Sequence, residues 1–170
     1  TTRLGKLVTD FMAHPTASIP EACGTWKATK AAYRFFDNTR LSHPQLLHGS
    51  HQACVTRLPA GEMVLVVQDT TSLDYTSHPT TKDVGPLEAT SHQGLFVHSC
   101  LAVSASGVPL GLLDQQTWAR DPATTGKRAS RKQRPIEQKE SFKWLSGLRK
   151  SLEGVPNSVC LVTVADQEAD

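Results

Sequence analysis

Two aliphatic runs that each lead into an aspartate constrain this chain more than any other feature: Met63-Val64-Leu65-Val66-Val67-Gln68-Asp69 and Val159-Cys160-Leu161-Val162-Thr163-Val164-Ala165-Asp166. Continuous β-branched runs of this length predict central strands buried on both faces. An acid just past the end of such a strand reaches solvent while its backbone stays tied to the sheet. Asp69 and Asp166 are thereby candidate ligands for Mg²⁺, a hard cation that takes oxygen donors. The sequence stops four residues after Asp166, which suggests part of a longer protein whose site is completed elsewhere.

Helices are expected before the first run. Leu4, Leu7, Val8, Phe11 and Met12 recur at helical spacing up to His14-Pro15. A second helix is predicted from Thr25 to Phe36, with Trp26, Tyr33 and Phe36 on its buried side and Lys27, Lys30 and Arg34 among its polar positions. Ser42-His43-Pro44-Gln45 has the form of a capping box and opens a third helix through about Arg57. The helical part is assigned to residues 1–60, and a strand-rich part to 62–170. In the latter, strands are predicted at Met63–Gln68, Leu95–Val103 and Val108–Trp118, with a hairpin turn at Ser104–Gly107 and a mobile surface loop from Thr76 to Gly94. A helix marked by Trp144, Leu145, Leu148 and Leu152 and the Asp166 strand follow. The fold class is therefore mixed α/β (α+β): helices, then strand, strand, strand, helix, strand. That order describes the front half of an RNase H-like core, in which the first and fourth strands lie side by side and bring Asp69 to Asp166.

Charge is uneven along the chain. The formal total is +2, yet Lys127 to Lys150 holds nine Lys or Arg against two Glu. A basic block of this density suits a polyanion, nucleic acid above all, and equally describes a solvated loop and helix face. Cys23, Cys54, Cys100 and Cys160 are scattered without metal-binding spacing, which points to reduced thiols in a cytosolic setting. No apolar run approaches the ~20 residues of a membrane helix.

Five ordered blocks carry a resemblance. Trp26 to Phe36, Gln68 to Tyr75, Val97-His98-Ser99, Glu140-Ser141-Phe142-Lys143-Trp144 and Ala165 to Asp170 are similar to successive segments of bacterial cut-and-paste DDE transposases of the insertion-sequence type. Those enzymes place a small helical DNA-end-binding domain before an RNase H-like core. The resemblance implies that Asp69 and Asp166 are the first two catalytic acids and Mg²⁺ or Mn²⁺ ligands in two-metal phosphoryl transfer. It implies that Arg34 and its neighbours hold the transposon end, that double-stranded DNA is the partner, and that the complete protein works as a homodimer on the bacterial nucleoid. A third acid, a Glu on a later helix, would lie beyond Asp170, so the chain alone is expected to be inactive.

The expected DNA-binding set is Lys27, Lys30 and Arg34, with Lys127, Arg128, Arg131, Lys132 and Arg134 of the basic block. Glu140 is an additional candidate acid, although its spacing to Lys143 favours a surface ion pair. His48, His51 and Cys54 have donor chemistry for zinc, but their positions rotate apart on one helix and ordinary helix residues are favoured. Two other functions stay open. A haloacid dehalogenase-type phosphatase needs a second Asp two residues after the first, where this chain has Thr71. A non-catalytic transposase-derived DNA-binding or inhibitory protein needs no acid pair.

Overall fold

The computed structural model describes residues 2–88, 91–124 and 134–166. They form two compact units, one ending at Leu46 and one starting at Leu47.

The first unit holds helices α1 (Thr2–Ala13), α2 (Ile19–Cys23) and α3 (Trp26–Phe36). Gly24, at φ 68°, ends α2 in the left-handed conformation that glycine adopts without a Cβ penalty. Thr25 then caps α3, its side chain accepting from Ala28 N at 3.3 Å. Leu7, Cys23 and Ala32 form the core of this unit, with Phe11, Ile19, Ala28 and Phe35 against them.

This packing corrects the predicted helix faces. Trp26 is 73% exposed, Tyr33 47% and Phe36 55%, so the rings expected in the core lie outside it. On α1 the expected stripe is split: Leu7 is buried, whereas Leu4, Val8 and Met12 are exposed. The small residues Ala22, Cys23, Thr29 and Ala32 fill the most buried positions of this unit, while the Phe11 and Phe35 rings pack at its margin.

The helix α4 (His43–Val55) begins at the predicted capping box, where Gln45 Oε1 accepts from Ser42 N at 3.0 Å. From Leu47 on, the chain builds a five-stranded sheet of β1 (Met63–Asp74), β2 (Gly85–Pro86), β3 (Gln93–Ser104), β4 (Pro109–Trp118) and β5 (Cys160–Val164), with α5 (Phe142–Ser151) between β4 and β5. The antiparallel trio β1, β3, β4 is flanked by β5, which lies parallel to β1. Fold class and strand order are those predicted.

Three details differ. β1 runs six residues past Gln68, so Asp69 lies inside its strand rather than past the end. The expected Thr76–Gly94 loop contains β2, and Gly85, Pro86 and Leu87 are buried. Finally, neither long run is buried on both faces: β1 alternates buried and half-buried residues up to Gln68, and Val162 and Val164 of β5 are exposed. The covered face packs Val64, Val66, Cys100, Ala102 and Leu113 around Cys54 of α4. On α5 the buried ridge is Trp144, Gly147 and Ser151, while Leu152 is exposed at the cap.

Candidate functional site

Register is what places the acids. The β1–β5 ladder ends with Val67 opposite Val164, and Asp69 and Asp166 each lie two residues further along their chains. Adjacent strands run ~4.8 Å apart, so this register, if continued past the end of β5, would set the two acids abreast. Asp69 shares the sheet face of Leu65 and Val67, the face opposite α5, because side chains alternate along a strand. Both acids are exposed.

Beneath Asp69 lies a buried polar network. His98, with no exposed surface, stands opposite Thr70 in β3. Its Nε2 donates to Gln68 Oε1 at 2.9 Å, which leaves Nδ1 to accept from the Thr70 hydroxyl, also at 2.9 Å. The two flanking residues of Asp69 are thus tied to one ring. The edge of that ring meets Trp144 at a centroid distance of 4.6 Å. Burial, assisted by the Lys143 charge, holds the His98 pKa down at about 4 against the opposing pull of Asp69 and Asp166. The imidazole is therefore neutral near pH 7, as its two hydrogen bonds require.

Gly147 lets α5 sit directly on this network. A Cβ there would lie 2.7 Å from Cys100 Sγ and 2.8 Å from Gln68 Oε1.

Glu140 is held by two residues. Its Oε1 accepts from Trp118 Nε1 at 3.1 Å and Arg120 Nε at 2.7 Å, and its Oε2 accepts from Arg120 Nη2 at 2.8 Å. Burial would raise its pKa, but the bonds from Arg120 and Trp118 outweigh that and hold it below the usual carboxylate value. Arg120 also lies over the Phe96 ring, 4.1 Å from its centroid. These contacts join the end of β4 to the start of α5. They occupy both oxygens of Glu140.

The helix α3 presents the predicted cations. Lys27, Lys30 and Arg34 are all exposed, and with Trp26 and Tyr33 they occupy one helical face at i, i+1, i+4, i+7 and i+8. Lys30 Nζ lies 5.6 Å from the Trp26 ring centroid. Of the basic block, Arg134 is half-buried, whereas Lys127, Arg128, Arg131 and Lys132 lie outside the described residues.

No group of three or more His, Cys, Asp or Glu suited to a metal occurs among the described residues. In particular, His51 is engaged elsewhere: its Nδ1 lies 2.7 Å from Leu113 O and its Nε2 2.8 Å from Glu153 O. Asp74 closes β1 and accepts from Thr76 N at 2.8 Å. Gln68 and His98 form a buried polar network beside Asp69 that strand periodicity does not single out. A signal for them exists in the sequence: a histidine and a serine interrupt the otherwise apolar Leu95–Val103 run.

No helix among the described residues is long and apolar enough to cross a membrane. Residues 1–41 match the family model described as transposase DNA-binding, which makes DNA the partner that this helical unit is built for. No curated protein matches the chain.

Proposed function

We propose that this chain is a DNA transposase of the DDE type, with the helical unit gripping transposon-end DNA and the sheet carrying an RNase H-like phosphoryl-transfer site. The observation that supports the catalytic half is the parallel β1–β5 pairing, whose register, continued by two residues, would bring Asp69 and Asp166 to neighbouring positions. Two solvent-facing carboxylates, side by side on a rigid sheet, are an oxygen donor set that fits Mg²⁺ or Mn²⁺. Asp69 and Asp166 would hold the ions. When bound, these supply Lewis acidity at the phosphate and an activated hydroxyl nucleophile.

The chain's own residues do the rest. Gln68, Thr70 and His98 fix the backbone on both sides of Asp69, so its carboxylate is presented without reorganisation. Neutral His98 adds no positive charge to compete for the acids. Lys27, Lys30 and Arg34 neutralise phosphates along the duplex, and the exposed Trp26 and Tyr33 supply apolar contact on the same face.

The test has two arms on the full chain. Replacing Lys27, Lys30 and Arg34 together by Ala should weaken duplex binding and flatten its salt dependence by ~0.9 log unit for each phosphate no longer neutralised. An unchanged slope in gel-shift titrations would move the DNA face off α3. In the second arm, Asp69→Asn and Asp166→Asn should each abolish Mn²⁺ binding measured by calorimetry while leaving DNA affinity intact. Wild-type Mn²⁺ affinity in either variant would remove the acid pair from the mechanism.

A further inference from the structure

One register line crosses the open face of the sheet. Asp69 of β1 stands opposite Ser99 of β3, and Ser99 stands opposite Gln115 of β4. Directly paired residues share a face, so Asp69, Ser99 and Gln115 form a row on the side away from α5, with Asp166 reaching the same line at its β5 end. His98 and Gln116, one position off, form the corresponding row on the covered side, where Gln116 Nε2 donates to Lys143 O at 3.1 Å.

The polar row changes chemical character along its length. At one end are two carboxylates, which attract cations. At the other, Ser99 Oγ accepts from Gln115 Nε2 at 3.0 Å. That bond occupies an oxygen lone pair from the β4 side, so the hydroxyl hydrogen is directed away from β4, towards β1 and solvent. Among the described residues the Ser99 hydroxyl finds no acceptor, and Asp69 makes no hydrogen bond or ion pair, although the two stand opposite each other. A donor thus lies beside an acid that it does not serve. A phosphodiester held at the acid pair would present a non-bridging oxygen on this face, where an oriented O–H could donate to it.

We propose that Ser99, oriented by Gln115, is a substrate-contacting residue that donates its hydroxyl to a non-bridging oxygen of the DNA phosphodiester seated at the acid pair. The proposal rests on the reading of Asp69 and Asp166 as the metal-binding acids. It assigns the β3–β4 side of the pair to the DNA strand.

The experiment uses the full chain with Mn²⁺ alone and then with the dinucleotide thymidylyl-thymidine, which carries a single phosphodiester. Mn²⁺ affinity is read by calorimetry, and dinucleotide affinity by the Mn²⁺-induced broadening of its ³¹P signal. Ser99→Ala should leave Mn²⁺ affinity within about twofold of wild type and weaken dinucleotide binding about tenfold, the size of one hydrogen bond to a charged acceptor. Ser99→Thr, which keeps the hydroxyl and suits a strand, should restore binding. Gln115→Met should shift the affinity in the same direction as Ser99→Ala, because it removes the amide that aims the hydroxyl. Unchanged dinucleotide affinity in Ser99→Ala would overturn the proposal while the acid pair stands. A parallel loss of Mn²⁺ affinity in that variant would also overturn it, since Ser99 would then be serving the acids. If Asp69→Asn binds Mn²⁺ as wild type does, the acid-pair reading itself fails and the Ser99 assignment falls with it.

Discussion

Acidification should destabilise the sheet unit through His98, and the size of the effect follows from how the ring is held. It is fully buried and neutral, with its pKa held at about 4, whereas an unfolded histidine titrates near 6.5. A depressed histidine pKa means that the unfolded chain takes up the proton first as pH falls. Its contribution to stability is therefore fully present above about pH 6.5 and is lost as pH drops towards 4. Each pH unit inside that window removes about 1.4 kcal/mol, so lowering the pH from 7.5 to 5 should cost about 2 kcal/mol through this residue, and reaching pH 4 about 3 kcal/mol. Urea unfolding followed by far-ultraviolet circular dichroism at several pH values measures it. Other histidines and carboxylates titrate too, so the quantity to read is the difference from His98→Phe, which keeps the packing against Trp144 but cannot be protonated. At pH 7.5 the variant should be less stable by about 1–3 kcal/mol, because Gln68 and Thr70 lose their partner. The difference should shrink on acidification and nearly vanish around pH 5. Parallel stability curves for the two proteins would refute the idea that a buried neutral His98 underlies the acid site.

Two further outcomes follow from the packing around this network. Gly147→Ala pits a helix-propensity gain of about 1 kcal/mol against a Cβ forced to 2.7 Å from Cys100 Sγ and 2.8 Å from Gln68 Oε1. Both neighbours are buried and cannot yield cheaply, so the variant should have a lower urea midpoint; a raised midpoint would show that α5 can lift off the sheet without cost. His51→Ala removes the side chain that ties α4 to Leu113 O of β4 and to Glu153 O after α5. It should cost about 1–3 kcal/mol with no change in Mn²⁺ affinity, and a loss of Mn²⁺ binding would contradict the separation of this histidine from the acid site.

Which segments become helices and strands was legible in the sequence, because that depends on local signals. The Ser42–Gln45 cap forms as its spacing predicts, and the Ser104–Gly107 turn joins β3 to β4 with Gly107 at φ 86°. Which side of a helix faces inward was not. In α3 the apolar weight lies with Trp26, Tyr33 and Phe36, yet Thr29 and Ala32 are the buried positions. In α5 the weight lies with Trp144, Leu145, Leu148 and Leu152, yet of these only Trp144 is buried, and the ridge continues through Gly147 and Ser151. The same cause acts in both. Where two elements pack closely, small residues can fill positions that an apolar count assigns to larger ones, so the inward face follows the fit between the elements as well as side-chain hydrophobicity.

The neighbourhood of Asp69 and Asp166 was legible in part for a related reason. Periodicity identifies a strand and the alternation of its faces, but it does not specify how far a strand is shifted against its neighbour. Asp69 and Asp166 can be neighbours only if the register that sets Val67 against Val164 continues two residues past the end of β5. A slip of one residue would turn the side chains of β5 to the opposite face and carry Asp166 away from the open side of Asp69. On the β3 side, the groups suited to resist such an error are the ones that periodicity passes over: His98 is bonded to Gln68 and Thr70, and a slipped β3 would leave this polar set unsatisfied inside the covered face. A polar residue in an apolar strand thus has two consequences. On the covered side it penalises the wrong pairing, and one residue later, at Ser99, it furnishes the open side with a hydrogen-bond donor.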